Sequence, residues 1–314
     1  MLTDATVISF IQAVVLIAIS PLITGLIRKF KAMMQHRIGS SIIQPYRDLL
    51  KLFRKDSVVS ESTSWMFRLI PYVCLSSMVL IALMIPFIFT GIIAPYGDLI
   101  ALVYLFTLYR FAMVLGGLEG GSCFGGMGSS REMMMSVLIE PALLLSIMAI
   151  AVLSGGGTDI SNIPVMLCNM GFTAFCPALI LAASSFIITM LAENARIPFD
   201  NPSTHLELTM VHEAMLIEYS GKDLGMMELS AEMRLTIFMA MLCSLFFPWG
   251  IAITTAPSSI ITGTIAVMAK MVTIAFLIAL LESSLTKSRL FKTPNLLTAS
   301  FVLSLLAMVS LYTL

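Results

Sequence analysis

Long apolar runs, separated by short polar stretches, fill most of the chain. A helix crosses a bilayer with about 20 predominantly apolar residues. Eight runs of that kind occur, at 5–27, 67–92, 98–118, 132–154, 171–192, 235–256, 258–281 and 294–314. Lipid offers no partner for free backbone groups, so such runs predict helices. The expectation is an all-α polytopic fold with eight transmembrane helices, forming a single membrane domain over 1–314. The first run follows a start with no positive charge and lacks a small-residue cleavage site, which predicts a retained helix rather than a signal peptide.

Four polar loops, 28–66, 119–131, 193–234 and 282–293, carry the basic residues. Sixteen of the 18 lie in or at the edge of these loops, and the segments on the other side carry none. The positive-inside rule then predicts four cytoplasmic loops and both termini outside. Charged residues make up 11% of the chain and hydrophobic residues 58%. Soluble domains carry about 25% charge, so both a soluble globule and a disordered chain are excluded. Zero net charge leaves nucleic acid without an electrostatic basis for binding. The five cysteines are scattered, with no Cys-x-x-Cys pair, so no zinc or iron–sulfur site is expected in this chain. They and most of the 25 methionines read as apolar filler.

Ionisable groups inside spans are costly and commonly mark function. Arg110 lies in the third span, Glu140 in the fourth, and Lys270 midway along the seventh. Glu193 and Glu282 close the fifth and seventh. Glu132, Ser136 and Glu140 recur every four residues, which places them on one helical stripe about 12 Å long. Pro141 follows Glu140 and removes a helical hydrogen bond. A proton path through Glu132, Glu140, Arg110, Lys270, Glu193 and Glu282 is one reading. Structural ion pairing, for example of Glu140 with Arg110, is the other.

The loops add local signals. Tyr46–Lys55 reads as an amphipathic interfacial helix with Leu49, Leu50 and Phe53 on one face and Arg47, Lys51 and Arg54 on another. It predicts either an anchor to anionic lipid or a docking surface. Loop 119–131 is rich in glycine but lacks the Gly-Lys-Ser/Thr of a phosphate-binding loop; Ser129 or Ser130 is expected to cap the fourth helix. Loop 193–234 holds eight acids against three bases. Within it Ser203 or Thr204 predicts a helix over about 204–219, ended by Gly221. The apolar content of that helix suggests burial under a partner. His205 and His212 are two turns apart, too far for a shared metal.

Several motifs together are similar to one family. Ala192-Glu-Asn-Ala-Arg-Ile-Pro-Phe-Asp, then Glu207-Leu, then Glu218-Tyr-Ser-Gly, resemble the signature of the respiratory complex I membrane subunit that seats the peripheral arm. Gln44-Pro-Tyr-Arg-Asp-Leu-Leu-Lys-Leu after Arg37-x-Gly, Gly97-Asp-Leu-Ile, Gly128-Ser-Ser-Arg-Glu and Glu140-Pro-Ala-Leu-Leu-Leu extend the likeness over nearly the whole chain. This family, complex I subunit 1, includes the matching subunits of formate hydrogenlyase, hydrogenase 4 and other group 4 membrane-bound nickel–iron hydrogenases. The stretch from Gly117 to Glu132 is more similar to the hydrogenase branch. Where the quinone-reducing branch carries three alternate carboxylates, this chain has Ser203, His205 and Glu207.

The resemblance implies a non-catalytic subunit of a multi-subunit oxidoreductase in the cell's inner (cytoplasmic) membrane, linking a redox event to proton or sodium movement. It implies nickel–iron and iron–sulfur centres in partner subunits and no cofactor in this chain; quinone belongs to the alternative, a complex I type NADH dehydrogenase. Implied partners are hydrogenase large and small subunits, an iron–sulfur subunit, antiporter-like membrane subunits and lipid. The implied arm-docking and coupling residues are Arg37, Gln44, Asp48, Arg131, Arg196, Asp200, His205, Glu207, His212, Glu213 and Glu218. Arg196 is expected to pair with Asp200, and Glu140 to begin a lateral path. A free-standing transporter predicts internal repeats, and the two halves show none that convinces.

Overall fold

The computed structural model describes residues 2–60, 63–89, 97–171, 175–200, 210–252, 256–288 and 292–313. Among these, helices are the regular structure: α1 (Leu2–Met34), α2 (Gln44–Phe53), α3 (Trp65–Met84), α4 (Leu99–Glu119), α5 (Cys123–Leu153), α6 (Asn162–Met170), α7 (Pro177–Glu193), α8 (His212–Leu216), α9 (Gly221–Met241), α10 (Pro257–Ser284) and α11 (Thr293–Thr313). A π-helical turn, Leu242–Phe246, prolongs α9. Among the described residues seven helices are long and apolar enough to cross a membrane. The fifth expected span, 171–192, corresponds to the 17-residue α7, shorter than the other seven and preceded by the separate short α6.

The bundle is centred on α9, whose apolar window is 83% buried, against 22% for α11. Ile237, Phe238, Met239, Ala240 and Phe246 are fully enclosed there. Around it α3 packs on α4 and α9, α1 on α9 and α10, and α11 on α5 and α7. The outer faces of α10 and α11 present Ile261, Ile265, Val302 and Leu306, the apolar surface a lipid-facing helix requires.

Three helix boundaries differ from expectation. The fourth span starts nine residues early, at Cys123, so most of the glycine-rich loop is helix. Ser122, not Ser129 or Ser130, caps it by accepting from the Gly125 amide at 3.1 Å; the Ser129 hydroxyl instead donates to the Val114 carbonyl at 3.0 Å. The glycines allow close approach: a Cβ at Gly128 would lie 2.8 Å from the Val211 carbonyl oxygen and 2.9 Å from the Ala214 Cβ. The sixth span likewise starts early, so the last third of the acidic loop forms the first turns of α9. Gly221 opens α9 rather than ending a helix. Its φ is +54° and a side chain there would strike the Asp56 carbonyl, so the residue fits a left-handed backbone pressed against another strand of chain. The third boundary is that of α3, which stops at Met84 and continues as non-helical backbone through Phe89.

Helix α2 forms as expected and lies across α1 and α9. Its buried residues are Pro45 and Leu49, with Leu52 partly covered; Leu50 is exposed, and Phe53 is partly exposed with its ring edge near α9. The expected Leu49–Leu50–Phe53 face is therefore only partly seated: Leu50 is left out of it, and Leu52 joins the Phe53 ring against Gly225 of α9.

Candidate functional site

The structure gathers the span charges around Arg110 of α4. Its guanidinium meets Glu140 at 2.9 Å and Glu132 at 3.6 Å, both from α5, and Glu193 at the end of α7. Three helices thus contribute one cation and three carboxylates. Arg110, Glu132 and Glu193 are buried, whereas the Glu140 side chain keeps 35% of its exposure. Glu140 opens onto a groove of about 520 Å³ between α4 and α5, lined also by Tyr104, Thr107, Ser136, Val137 and Pro141. Pro141 has no N–H to give the Val137 carbonyl, and both residues line this groove. The expected stripe Glu132–Ser136–Glu140 is present as one continuous face, and the expected Glu140–Arg110 pair is formed.

Beside this cluster lies a polar cavity of about 140 Å³ at the basic end of the bundle. Thr24 and Arg28 of α1, Asn194, Arg196 and Asp200 after α7, His212 and Glu213 of α8, and Glu228, Glu232 and Arg234 of α9 line it. Arg234 is buried, lies 5.0 Å from the Tyr109 ring centroid and meets His212 Nε2 at 2.8 Å. His212 is held neutral: burial, and then the nearby Arg234 and Arg110 guanidiniums, push its pKa well below 6.5. Its ring therefore accepts from Arg234. Neither Arg234 nor Tyr109 stood out in the sequence; a basic residue at the end of an acidic loop was the available signal.

A second ionic group clamps the Arg-Ile-Pro-Phe-Asp loop to α10. Glu282 accepts from Lys31 at 3.0 Å and from Arg196 at 3.1 Å. Asp200 meets Lys287 at 2.8 Å and accepts from the Val211 amide at 3.1 Å. Ser288 donates its amide and hydroxyl to the Pro198 carbonyl. The expected Arg196–Asp200 ion pair is not formed. Each side chain is drawn instead to a counter-charge on or just after α10, one helix away in space and far away in sequence.

Lys270 stands apart from both groups, on α10 against the end of the π turn, where it donates to the Phe247 and Trp249 carbonyls. Of the expected docking residues, Gln44 and Asp48 bond each other along α2 at 2.8 Å, and Arg131 donates to the Met210 carbonyl at 2.9 Å. Arg37 and Glu218 are exposed. Glu213 lines the polar cavity. His205, Glu207, and the caps Ser203 and Thr204 lie outside the described residues. Of the predicted 204–219 helix, residues 210–219 are described, and among them only His212–Leu216, α8, is helical. Met210, Met215 and Leu216 are buried within this chain, Met215 against Gly117 of α4 and Gly128 of α5, while Ile217 is exposed and Leu206 and Leu208 lie outside the described residues. Among the described residues no His, Cys, Asp and Glu group could hold a metal.

Comparison with known proteins follows the same lines. The NADH dehydrogenase family model matches residues 6–313. Formate hydrogenlyase subunit 4 of Escherichia coli (strain K12) is 36% identical over 96% of this chain and 97% of its own. Hydrogenase-4 component C of the same organism is 35% identical over 95% and 93%. NADH-quinone oxidoreductase subunit 8 of Rhodothermus marinus is 25% identical over 70% and 66%. Among solved structures, the membrane-bound sulfane sulfur reductase, an archaeal respiratory membrane complex, contains a chain of the same fold, with a TM-score of 0.81 at 21% identity, covering 96% of this chain and 99% of that one. The long apolar helices, the buried charges they share and these matches lead to one conclusion: the chain is a multi-pass membrane protein of the NADH dehydrogenase family, and it is more similar to formate hydrogenlyase subunit 4 and hydrogenase-4 component C than to that quinone oxidoreductase subunit.

Proposed function

We propose that this chain is the membrane anchor and energy-coupling subunit of a group 4 nickel–iron hydrogenase or formate hydrogenlyase type complex. It sits in the inner membrane with its basic end in the cytoplasm. The soluble arm, made of hydrogenase large and small subunits and an iron–sulfur subunit, docks on that end. An antiporter-like membrane subunit adjoins α4 and α5. The redox centres belong to the partners, and this chain relays charge.

The observation that supports the relay is a single geometric series. The polar cavity lined by Asn194, His212 and Arg234 lies at the basic end. Glu193 immediately precedes Asn194 and meets Arg110, which meets Glu140 on the lateral groove. Three carboxylates around one guanidinium in a low-dielectric site cannot all stay charged cheaply. Proton occupancy within the group is therefore sensitive to any charge that appears in the cavity above it. A redox step in the docked arm supplies such a charge, and Glu140 delivers the response to the neighbouring subunit as a proton.

Mass spectrometry of the native complex tests the assignment. A nickel–iron large subunit among the partners supports it. A flavin-bearing NADH module and a bound quinone, with sensitivity to quinone-site inhibitors, would replace it by the complex I reading.

A further inference from the structure

Two helices end short within the bundle, and their loose ends are treated differently. After α3 the non-helical segment runs on to Phe89, and the Ile88 and Phe89 amides both donate to Gln12 Oε1 of α1, each at 3.2 Å. A neutral amide is enough there. After α9 and its π turn, the segment Phe247–Ala252 carries Pro248, and the Phe247 amide reaches back to Leu242 at 3.3 Å. Here the loose groups are carbonyls, and the carbonyls of Phe247 and Trp249 converge on the Lys270 ammonium, the first at 2.6 Å.

The depth of this contact makes it unusual. Lys270 stands midway along α10, about 20 Å from either end at 1.5 Å per residue. Among the described residues no carboxylate lies within ion-pair distance of it. Its counter-charges are main-chain oxygens and the negative end of α9. Converging carbonyls at the broken end of a membrane helix are the groups that hold monovalent cations in transporters. A groove of about 270 Å³, lined by Cys243, Phe247, Ala269, Lys270, Thr273 and Ile274, opens beside the ammonium.

We propose that the break after α9 is a monovalent-cation site built from main-chain carbonyls, and that the Lys270 ammonium occupies it as a tethered ion. The site accepts a cation that donates hydrogen bonds or is small enough for both carbonyls to coordinate, and its charge holds the unwound segment in place. The ion is carried by the chain, so the intact protein needs none from solution.

Lys270→Ala in the purified intact complex tests this. Ethylammonium suits as a probe because it enters membranes as the neutral amine and regains its proton in the site. The variant is expected to melt at a lower temperature than the unsubstituted complex. Ethylammonium or sodium chloride should restore a saturable part of the loss, about 3 °C, while tetramethylammonium chloride at equal ionic strength should not, and the unsubstituted complex should not respond. Equal response to tetramethylammonium, or no destabilisation, overturns the proposal. Lys270→Gln keeps donors without charge and is expected to behave like Lys270→Ala; stability equal to the unsubstituted complex would show that a neutral cap suffices, and overturns it. If Lys270→Ala fails to assemble, growth with ethylammonium and the variant Lys270→Arg are each expected to restore the complex, and failure of both overturns the cation site.

Discussion

At Arg110 the energetics turn on removal, not on the pairs themselves. Burying a guanidinium with carboxylates gains little against apolar packing, but stripping one partner leaves uncompensated charge at a cost of about 3–5 kcal/mol. Arg110→Met should therefore leave Glu132 and Glu193 unpaired and sharply lower the melting temperature of the complex, whereas Glu140→Gln, at the open groove, should leave it within about 1 kcal/mol. Thermal melts of the two purified variants give the comparison; equal losses would contradict the division between buried and groove-facing carboxylates. His212 makes a pH prediction. Its folded pKa is depressed, by burial first. Above pH 6.5 neither the packed nor the released ring carries a proton, so α8 is held fully. Below that value the released ring binds a proton and the packed ring does not, so hold on α8 weakens progressively as pH falls. Hydrogen-exchange protection of residues 210–219, taken relative to the intrinsic amide rate at each pH, should fall as pH drops from 7 to 5.5, and His212→Gln should flatten that dependence.

At the level of elements, what was legible was what is local. Length and apolarity alone marked seven long helices and the amphipathic α2, because a bilayer imposes those requirements on each segment separately. Helix starts at Cys123 and Gly221 were not legible, because they depend on what packs against the glycines. Glycine at 125, 126 and 128 reads as a loop until α8 is known to press on Gly128, and then the same residues are contact surface. Counter-ions were missed for the same reason: Arg196 finds Glu282, and Asp200 finds Lys287, across 86 and 87 residues of sequence. Glu132, Ser136 and Glu140 could be grouped from sequence since one helix carries all three. This predicts that Gly128→Val, whose side chain meets Val211 and Ala214, displaces α8 and costs about 1–3 kcal/mol. Limited proteolysis should cut the 210–219 stretch faster in that variant; unchanged cleavage would show that α8 is not seated by this contact.

At the scale of the whole molecule three charged groups matter: the Arg110 cluster with its polar cavity, the Glu282 and Asp200 clamps at the basic end, and Lys270 at mid-span. The clamps tie the signature loop to α10 and fix the cavity's shape, so they serve the first group without joining it. Neutralising a clamp through Glu282→Gln should weaken attachment of soluble subunits more than it weakens the membrane part, and co-purification yield reads that difference. The central claim is that charge passes from the cavity through Arg110 to Glu140 and out of this chain. It is tested most directly by reconstituting the intact complex in vesicles and recording redox turnover and internal pH together, with and without Glu140→Gln. The account predicts a fully assembled Glu140→Gln complex that acidifies or alkalises the vesicle interior no faster than a redox-inactive control; proton movement at the unsubstituted rate would contradict it.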